Sequence, residues 1–260
     1  MVLKHQLKAT EQLLFDDILE GLPRQRKWVE TVLSRLKDVT TIPQHPKVLE
    51  IGAAAGGNLV ALTELGCQCE GIEPWEEARL NAIKLSGHLG IPLNIVDGTA
   101  EAIPCGADSF DIVCAFAVME HVLDIERAVG EIYRVLKPGG VFWFSSASSM
   151  CPFQNEIRGF PLFGWYPDSL KYKIMYWAKE AKPHLIGYTE TPAIHWFTPR
   201  KTRILLQRHG FKTMYDRWDL RREAEGGRGY DLALRLIRST KFSKTLADIL
   251  VPGCSYTAIK

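Results

Sequence analysis

Residues 48–57, Val-Leu-Glu-Ile-Gly-Ala-Ala-Ala-Gly-Gly, constrain this chain more than any other stretch. An aliphatic run interrupted by Glu50 gives way to small residues, and apolar ones resume at Leu59. The pattern predicts a buried strand, a tight loop and a helix start. A loop without side chains lets a ligand lie against backbone, and a helix N-terminus presents unpaired N–H groups to it. A nucleoside-containing cofactor is the expected occupant.

The rest of the chain alternates in the same rhythm. Strands are expected at 47–52, 67–72, 93–96, 110–115 and 141–146, with helices at 57–65, 76–85 and 125–136 between them. One or two amphipathic helices between Leu13 and Leu36 precede the first strand. A helix at 199–209, a strand at 211–219, a helical stretch around 230–250 and a strand at 254–260 complete the order. The expected fold is therefore α/β: a Rossmann-like, doubly wound, seven-stranded, mostly parallel sheet with an antiparallel last strand. Residues 1–46 are expected as an N-terminal helical cap and 47–260 as the main domain.

The six cysteines form no CxxC pair and no zinc spacing, so no metal site is expected. The N-terminal residues lack an apolar signal core and no run approaches ~18 apolar residues, so no membrane span is expected and the compartment is read as cytoplasmic.

Open parallel sheets bind ligands at the carboxyl ends of their strands. Three segments lie there: the Gly52–Gly57 loop, Glu73-Pro74 after strand two, and Asp97-Gly98-Thr99-Ala100-Glu101. Glu73 follows Gly52 by 21 residues, the separation at which an acid meets a ribose diol. Dinucleotides and S-adenosylmethionine (SAM) both fit this layout. The dinucleotide glycine pattern needs Gly at 52, 54 and 57 and the SAM pattern Gly at 52, 54 and 56, so Ala54 breaks both. Glu50 favours SAM, because an acid there suits a cationic amino-acid head and repels a pyrophosphate.

Further motifs point the same way. Phe110-Asp111-Ile112-Val113 through Met119-Glu120-His121-Val122, then Glu131 to Gly140 ending Leu-Lys-Pro-Gly-Gly, resemble the fourth- and fifth-strand motifs of class I SAM-dependent methyltransferases that act on small molecules. Ala100-Glu101-Ala102-Ile103-Pro104 and Trp196-Phe197-Thr198-Pro199 belong to the same pattern. The resemblance implies SAM as cofactor and S-adenosylhomocysteine as product. It implies that Glu50 holds the methionine amino group through water, that Gly52, Ala53, Ala54 and Gly56 approach the cofactor with backbone, and that Glu73, with Pro74 beside it, meets the ribose. It places Gly98, Thr99 and Ala100 at the adenine and Phe116 along the methionine arm.

The acceptor side is less marked. His121 is the candidate general base for a hydroxyl acceptor, with a structural brace as the equal alternative. Residues 147–197 interrupt the βα rhythm, and 153–197 hold 11 of the 26 aromatics. They are read as a helical lid, with Phe160, Trp165, Tyr166, His195 and Trp196 as acceptor-pocket residues; an interface between copies is the alternative. Residues 199–245 carry 13 Lys or Arg against 5 Asp or Glu, which fits an anionic acceptor, while no nucleic-acid module accompanies the charge. The expected activity is methyl transfer to a small-molecule hydroxyl by a monomer or homodimer. N- or C-methylation, a nicotinamide-dependent oxidoreductase and a non-catalytic SAM-binding scaffold stand as alternatives.

Overall fold

The computed structural model describes residues 2–186, 191–223 and 225–260, with side chains from Phe15 onward. The seven strands are β1 (Lys47–Ile51), β2 (Gln68–Ile72), β3 (Ile95–Val96), β4 (Phe110–Phe116), β5 (Leu136–Ser146), β6 (Thr213–Asp216) and β7 (Cys254–Ile259). They form one sheet in the order β3-β2-β1-β4-β5-β7-β6. Neighbours from β3 to β5 pair in parallel, and β7 lies antiparallel between β5 and β6. This is the expected doubly wound sheet, with the strand order reversing between β1 and β4, where a crevice opens at the carboxyl ends.

Nine α-helices are described. Two helices, α1 (Val2–Leu36) and α2 (Gly57–Glu64), contribute Val29, Val32, Leu36, Leu59 and Leu62 to the core on one face of the sheet. The same chain order gives α3 (Glu76–Leu89) and α4 (Ile125–Val135), then α5 (Asp168–Ala181), α6 (Pro199–Arg208), α7 (Arg217–Leu220), α8 (Arg228–Ser239) and α9 (Lys241–Leu250). The opposite face is covered by α4 and α6, through Ala128, Val129, Ile132 and Leu206. Both faces are covered, which is why β1 and β4 read as near-continuous aliphatic runs.

Local chemistry sets several boundaries. Asp124 caps α4 by accepting the Arg127 N–H at 3.0 Å, and Thr198 caps α6 with Pro199 at the first helical position. The expected single stretch near 230–250 is two helices, because Thr240 and Ser243 form a capping box that starts α9 afresh. The expected strand at 211–219 ends at Asp216, whose carboxylate caps α7. Among the described residues no helix is long and apolar enough to cross a membrane.

Candidate active site

The loop after β1 solves the problem set by Ala54. Gly52, Ala54 and Gly56 all take left-handed backbone, with φ of +66°, +46° and +81°. Alanine thus occupies a conformation that ordinarily favours glycine, at a cost of about 1–2 kcal/mol. The loop is held from below: the N–H groups of Gly52 and Ala53 both donate to the Ile72 carbonyl, at 2.9 and 3.0 Å. A Cβ on Gly52 would overlap the Val118 side chain, so that glycine is required by contact as well as by φ.

Glu73, at the end of β2, ties loop and strand together. Its Oε2 accepts the Ala54 N–H at 2.9 Å and its Oε1 the Trp75 N–H at 3.0 Å. The guanidinium of Arg79 donates to the Glu73 and Pro74 carbonyls and pairs with Asp97 at 2.9 Å, bridging the ends of β2 and β3. Glu73 is buried, yet each carboxylate oxygen keeps a lone pair beyond its backbone donor.

Glu50 is fully enclosed, and burial pushes its carboxyl up to about 8, with the neighbouring Glu73 charge adding to the rise. Asn58 Nδ2 donates to its Oε1 at 2.7 Å. Three buried acceptors around this loop have no partner: Glu50 Oε2, Asn58 Oδ1 and Gln25 Oε1, the last reaching from α1 against Gly57. Buried polar groups are normally satisfied, so three orphaned oxygens mark a place for a donor-rich group, and a cation seated there would draw Glu50 into its charged form. The amino head of SAM has that chemistry, and the residues present fit it.

A cavity of about 330 Å³ lies at the carboxyl ends of β4 and β5. Its walls are Trp28, Val32 and Arg35 of α1, Ala117 and Glu120 after β4, and Trp143, Ser145 and Ser146 of β5. Glu156, then Arg217, Leu220 and Arg221, and residues 252–255 at the start of β7 close it. Phe116 sits beside it in a three-ring cluster, 4.5 Å from Trp28 and 4.7 Å from Trp143 between ring centroids. Its cationic side is shared: Arg35 pairs with Glu225, Arg217 lies 4.0 Å from Asp248, and Arg217 and Arg221 stack on Trp218.

Glu120 and His121 follow β4, and Glu120 lines the cavity. The Glu120 carbonyl accepts the N–H groups of Ile194 and His195, and its carboxylate accepts the Ser146 hydroxyl at 2.7 Å. Burial raises the Glu120 carboxyl to about 6. His121 Nδ1 lies 2.8 Å from the Thr191 carbonyl, which can only accept, so Nδ1 is the donor of that hydrogen bond. Donor atoms of Glu120, His121 and Glu156 lie within 4.8 Å of one another, close enough to hold a metal ion.

The structure separates the predicted residues into two groups. Glu50, Gly52, Ala53, Ala54, Gly56 and Glu73 gather at the loop, with Pro74 exposed beside them. At the β3 end, Gly98 is half-buried, Thr99 exposed and Ala100 buried in the core. Phe160, Trp165, Tyr166, His195 and Trp196, expected at the acceptor pocket, do not line the cavity. Phe160, Tyr166 and Trp196 instead pack with Phe163, Met175 and Ile186 into a separate small core, and Lys171 lies 4.5 Å over the Trp196 ring. Trp165 is exposed and donates to the Met150 carbonyl at 3.0 Å. His195 is half-buried, and burial lowers its pKa. Phe160, Phe163, Tyr166 and Trp196 thus serve the packing of the insertion, whose described residue at the cavity is Glu156. Gln25, Trp28, Asn58, Arg79 and Glu156 were not predicted; each comes to the site from an element distant in sequence or carries no motif of its own.

Residues 49–144 match the family described as "Methyltransferase domain". The chain is 35% identical over 97 residues to the uncharacterized methyltransferase YcgJ of Bacillus subtilis, covering 37% of this chain and 38% of that protein. It is 30% identical over 133 residues to a ubiquinone biosynthesis O-methyltransferase of Methylobacterium nodulans, covering 48% and 53%. The matches thus span about half the length of these relatives or less. The crystal structure of YcgJ superposes with a TM-score of 0.55 at 17% identity, over 88% of this chain and 97% of that one. A Haemonchus contortus phosphoethanolamine N-methyltransferase, solved in complex with SAM, superposes with a TM-score of 0.56 at 18% identity, over 90% and 52%. The domain match, the strand order and the loop geometry agree that residues 49–144 form a methyltransferase domain of the class I SAM-dependent type.

Proposed function

We propose that the chain methylates a small-molecule hydroxyl held in the cavity at the ends of β4 and β5. The observation that carries this reading is His121, held through Nδ1 by the Thr191 carbonyl and within 4.8 Å of Glu120 and Glu156, which line that cavity. A hydroxyl acceptor must lose a proton as its oxygen is methylated, whereas many amines need no such base. The ubiquinone relative is named for oxygen and the Haemonchus structure for nitrogen, so the site chemistry has to choose between them.

SAM supplies an activated methyl on a sulfonium, so no protein nucleophile is required. Glu50, Asn58 and Gln25 offer their unpaired oxygens to its amino head, Glu73 to the ribose hydroxyls, and the left-handed loop its backbone. Phe116 lines the methionine arm, and Gly98, Thr99 and Ala100 flank the adenine. His121 Nε2 takes the acceptor hydroxyl proton. Glu120 holds the 194–195 backbone and thereby the histidine's surroundings, so base and brace fall on neighbouring residues. Arg217 and Arg221 favour an acceptor carrying an anionic or strongly polar group. Residues 147–197 act as a cover over this end of the sheet rather than as an aromatic pocket wall.

The 4.8 Å grouping of Glu120, His121 and Glu156 favours a second reading, in which a divalent cation polarises the acceptor oxygen and His121 is its ligand. Turnover of a pool of hydroxylated metabolites with methyl-labelled SAM, followed by mass spectrometry, tests the first reading. Label confined to amines, or absent with SAM bound, overturns it.

A further inference from the structure

Between β6 and β7 lie the helices α7, α8 and α9. The last two carry apolar side chains on opposite faces. Inward, Leu234 and Ile237 of α8 and Ala247 of α9 pack against Trp218. Outward, Leu232 and Leu236 on α8, and Phe242, Leu246 and Leu250 on α9, recur at four-residue spacing, which places each set on one side of its helix. All five face water: Phe242 is 79% and Leu250 71% exposed, and the least exposed, Leu246, is 48%. A helix that is apolar on two faces has its second face awaiting a partner.

The charges around that face identify the partner. Between Arg228 and Val251 the chain carries Arg228, Arg235, Arg238, Lys241 and Lys244 against Asp231 and Asp248; Arg235 is paired with Glu223 and Lys244 with Asp216 and Asp219, which leaves Arg228, Arg238 and Lys241 to meet a partner. Asp248 is turned inward, accepting the Trp218 Nε1–H at 2.8 Å. Arg238 donates to the Trp218 and Asp219 carbonyls, which are neutral groups. A second copy seated on this face by two-fold symmetry would set these cations against their own equivalents. An anionic lipid surface instead complements both the charge and the exposed leucines.

We propose that the α8–α9 hairpin docks the protein onto an anionic phospholipid bilayer, with Phe242, Leu246 and Leu250 seated among the acyl-chain ends and the Arg and Lys residues at the headgroups. The hairpin joins Arg217–Leu220 on one side and Pro252–Ser255 on the other, and both line the cavity. The docking does not depend on the methyl-transfer reading.

Cosedimentation of the full chain with sucrose-loaded vesicles tests this, comparing phosphatidylcholine alone with phosphatidylcholine containing phosphatidylserine. The protein is expected to sediment with the phosphatidylserine vesicles and to lose that preference at about 1 M NaCl, where charges are screened within ~3 Å. Phe242→Asp and Leu250→Asp should reduce binding at least tenfold while leaving the melting temperature and SAM affinity unchanged. Lys241→Ala should reduce it about fivefold. If an aspartate variant melts early, Phe242→Ser and Leu246→Gln carry the same test. Failure to sediment with either vesicle type overturns the proposal, as does binding that none of these substitutions alters. So does a dimer in sedimentation velocity that Phe242→Asp converts to monomer without any vesicle binding, which would make the face an interface between copies.

Discussion

The backbone N–H of Ala54 donates to Glu73 Oε2 at 2.9 Å, fastening the loop after β1 to the end of β2. The carboxylate assigned to the ribose therefore also shapes the loop that carries the methionine moiety. Glu73→Ala removes the acceptor for two backbone donors, Ala54 and Trp75, and the ribose contact with them. Hydrogen bonds to a charged group contribute about 1.5–3 kcal/mol each, so SAM affinity measured by calorimetry should fall about 10–100-fold. Unchanged affinity would displace the ribose from this residue.

Ala54 tests the loop from the other side. Ala54→Gly should be close to neutral, because relief of the left-handed strain is offset by glycine's greater freedom in the unfolded chain, about 0.5–1 kcal/mol. Ala54→Val puts a β-branched side chain at φ +46° and should destabilise by about 2 kcal/mol, read by denaturant unfolding, with weaker SAM binding. Equal stability of the two variants would show that the loop does not hold this conformation.

Glu50 makes the protein's stability and its cofactor affinity depend on pH. Its carboxyl is raised from 4.5 to about 8, so the folded chain holds a proton there that the unfolded chain releases. That contribution to stability is complete below about pH 4.5 and is lost as pH rises through about 8, at about 1.4 kcal/mol per unit between the two. Seating a cation beside Glu50 at pH 7 should expel close to one proton, measurable by calorimetry in buffers of different ionisation enthalpy. Glu50→Gln should abolish the proton release and flatten the stability profile over this range; persistence of either would assign it to another group.

His121 distinguishes the base from the cation. If Nε2 is the base, His121→Ala lowers kcat about 10²–10⁴-fold with SAM affinity retained, and chelators leave the wild-type rate untouched. Loss of activity on chelation, restored by Mg²⁺ or Mn²⁺ and weakened in Glu156→Gln, would support the cation instead.

The sheet was legible because both of its faces are covered. Buried parallel strands such as Val48–Ile51 and Ile112–Phe116 read as aliphatic runs, and their carboxyl ends locate Glu50, Gly52 and Glu73 without reference to three dimensions. Aromatic density misled for the insertion, because a ring in a small self-contained core and a ring in a pocket leave the same trace in a sequence. Phe160, Tyr166 and Trp196 bury one another there.

What the sequence by itself determined is the strand order's rhythm, the small-residue loop and the acids at either end of it, since these depend on neighbours within a few residues. Tertiary structure alone decided that Ala54 takes the left-handed backbone, that Gln25 and Trp28 of the first helix reach the site, and that Glu156 stands beside His121. The physical reason is separation along the chain. Contacts such as Gln25 with Gly57 or Glu156 with His121 are set by how helices and the insertion pack on the sheet, and no local pattern of residues encodes that packing.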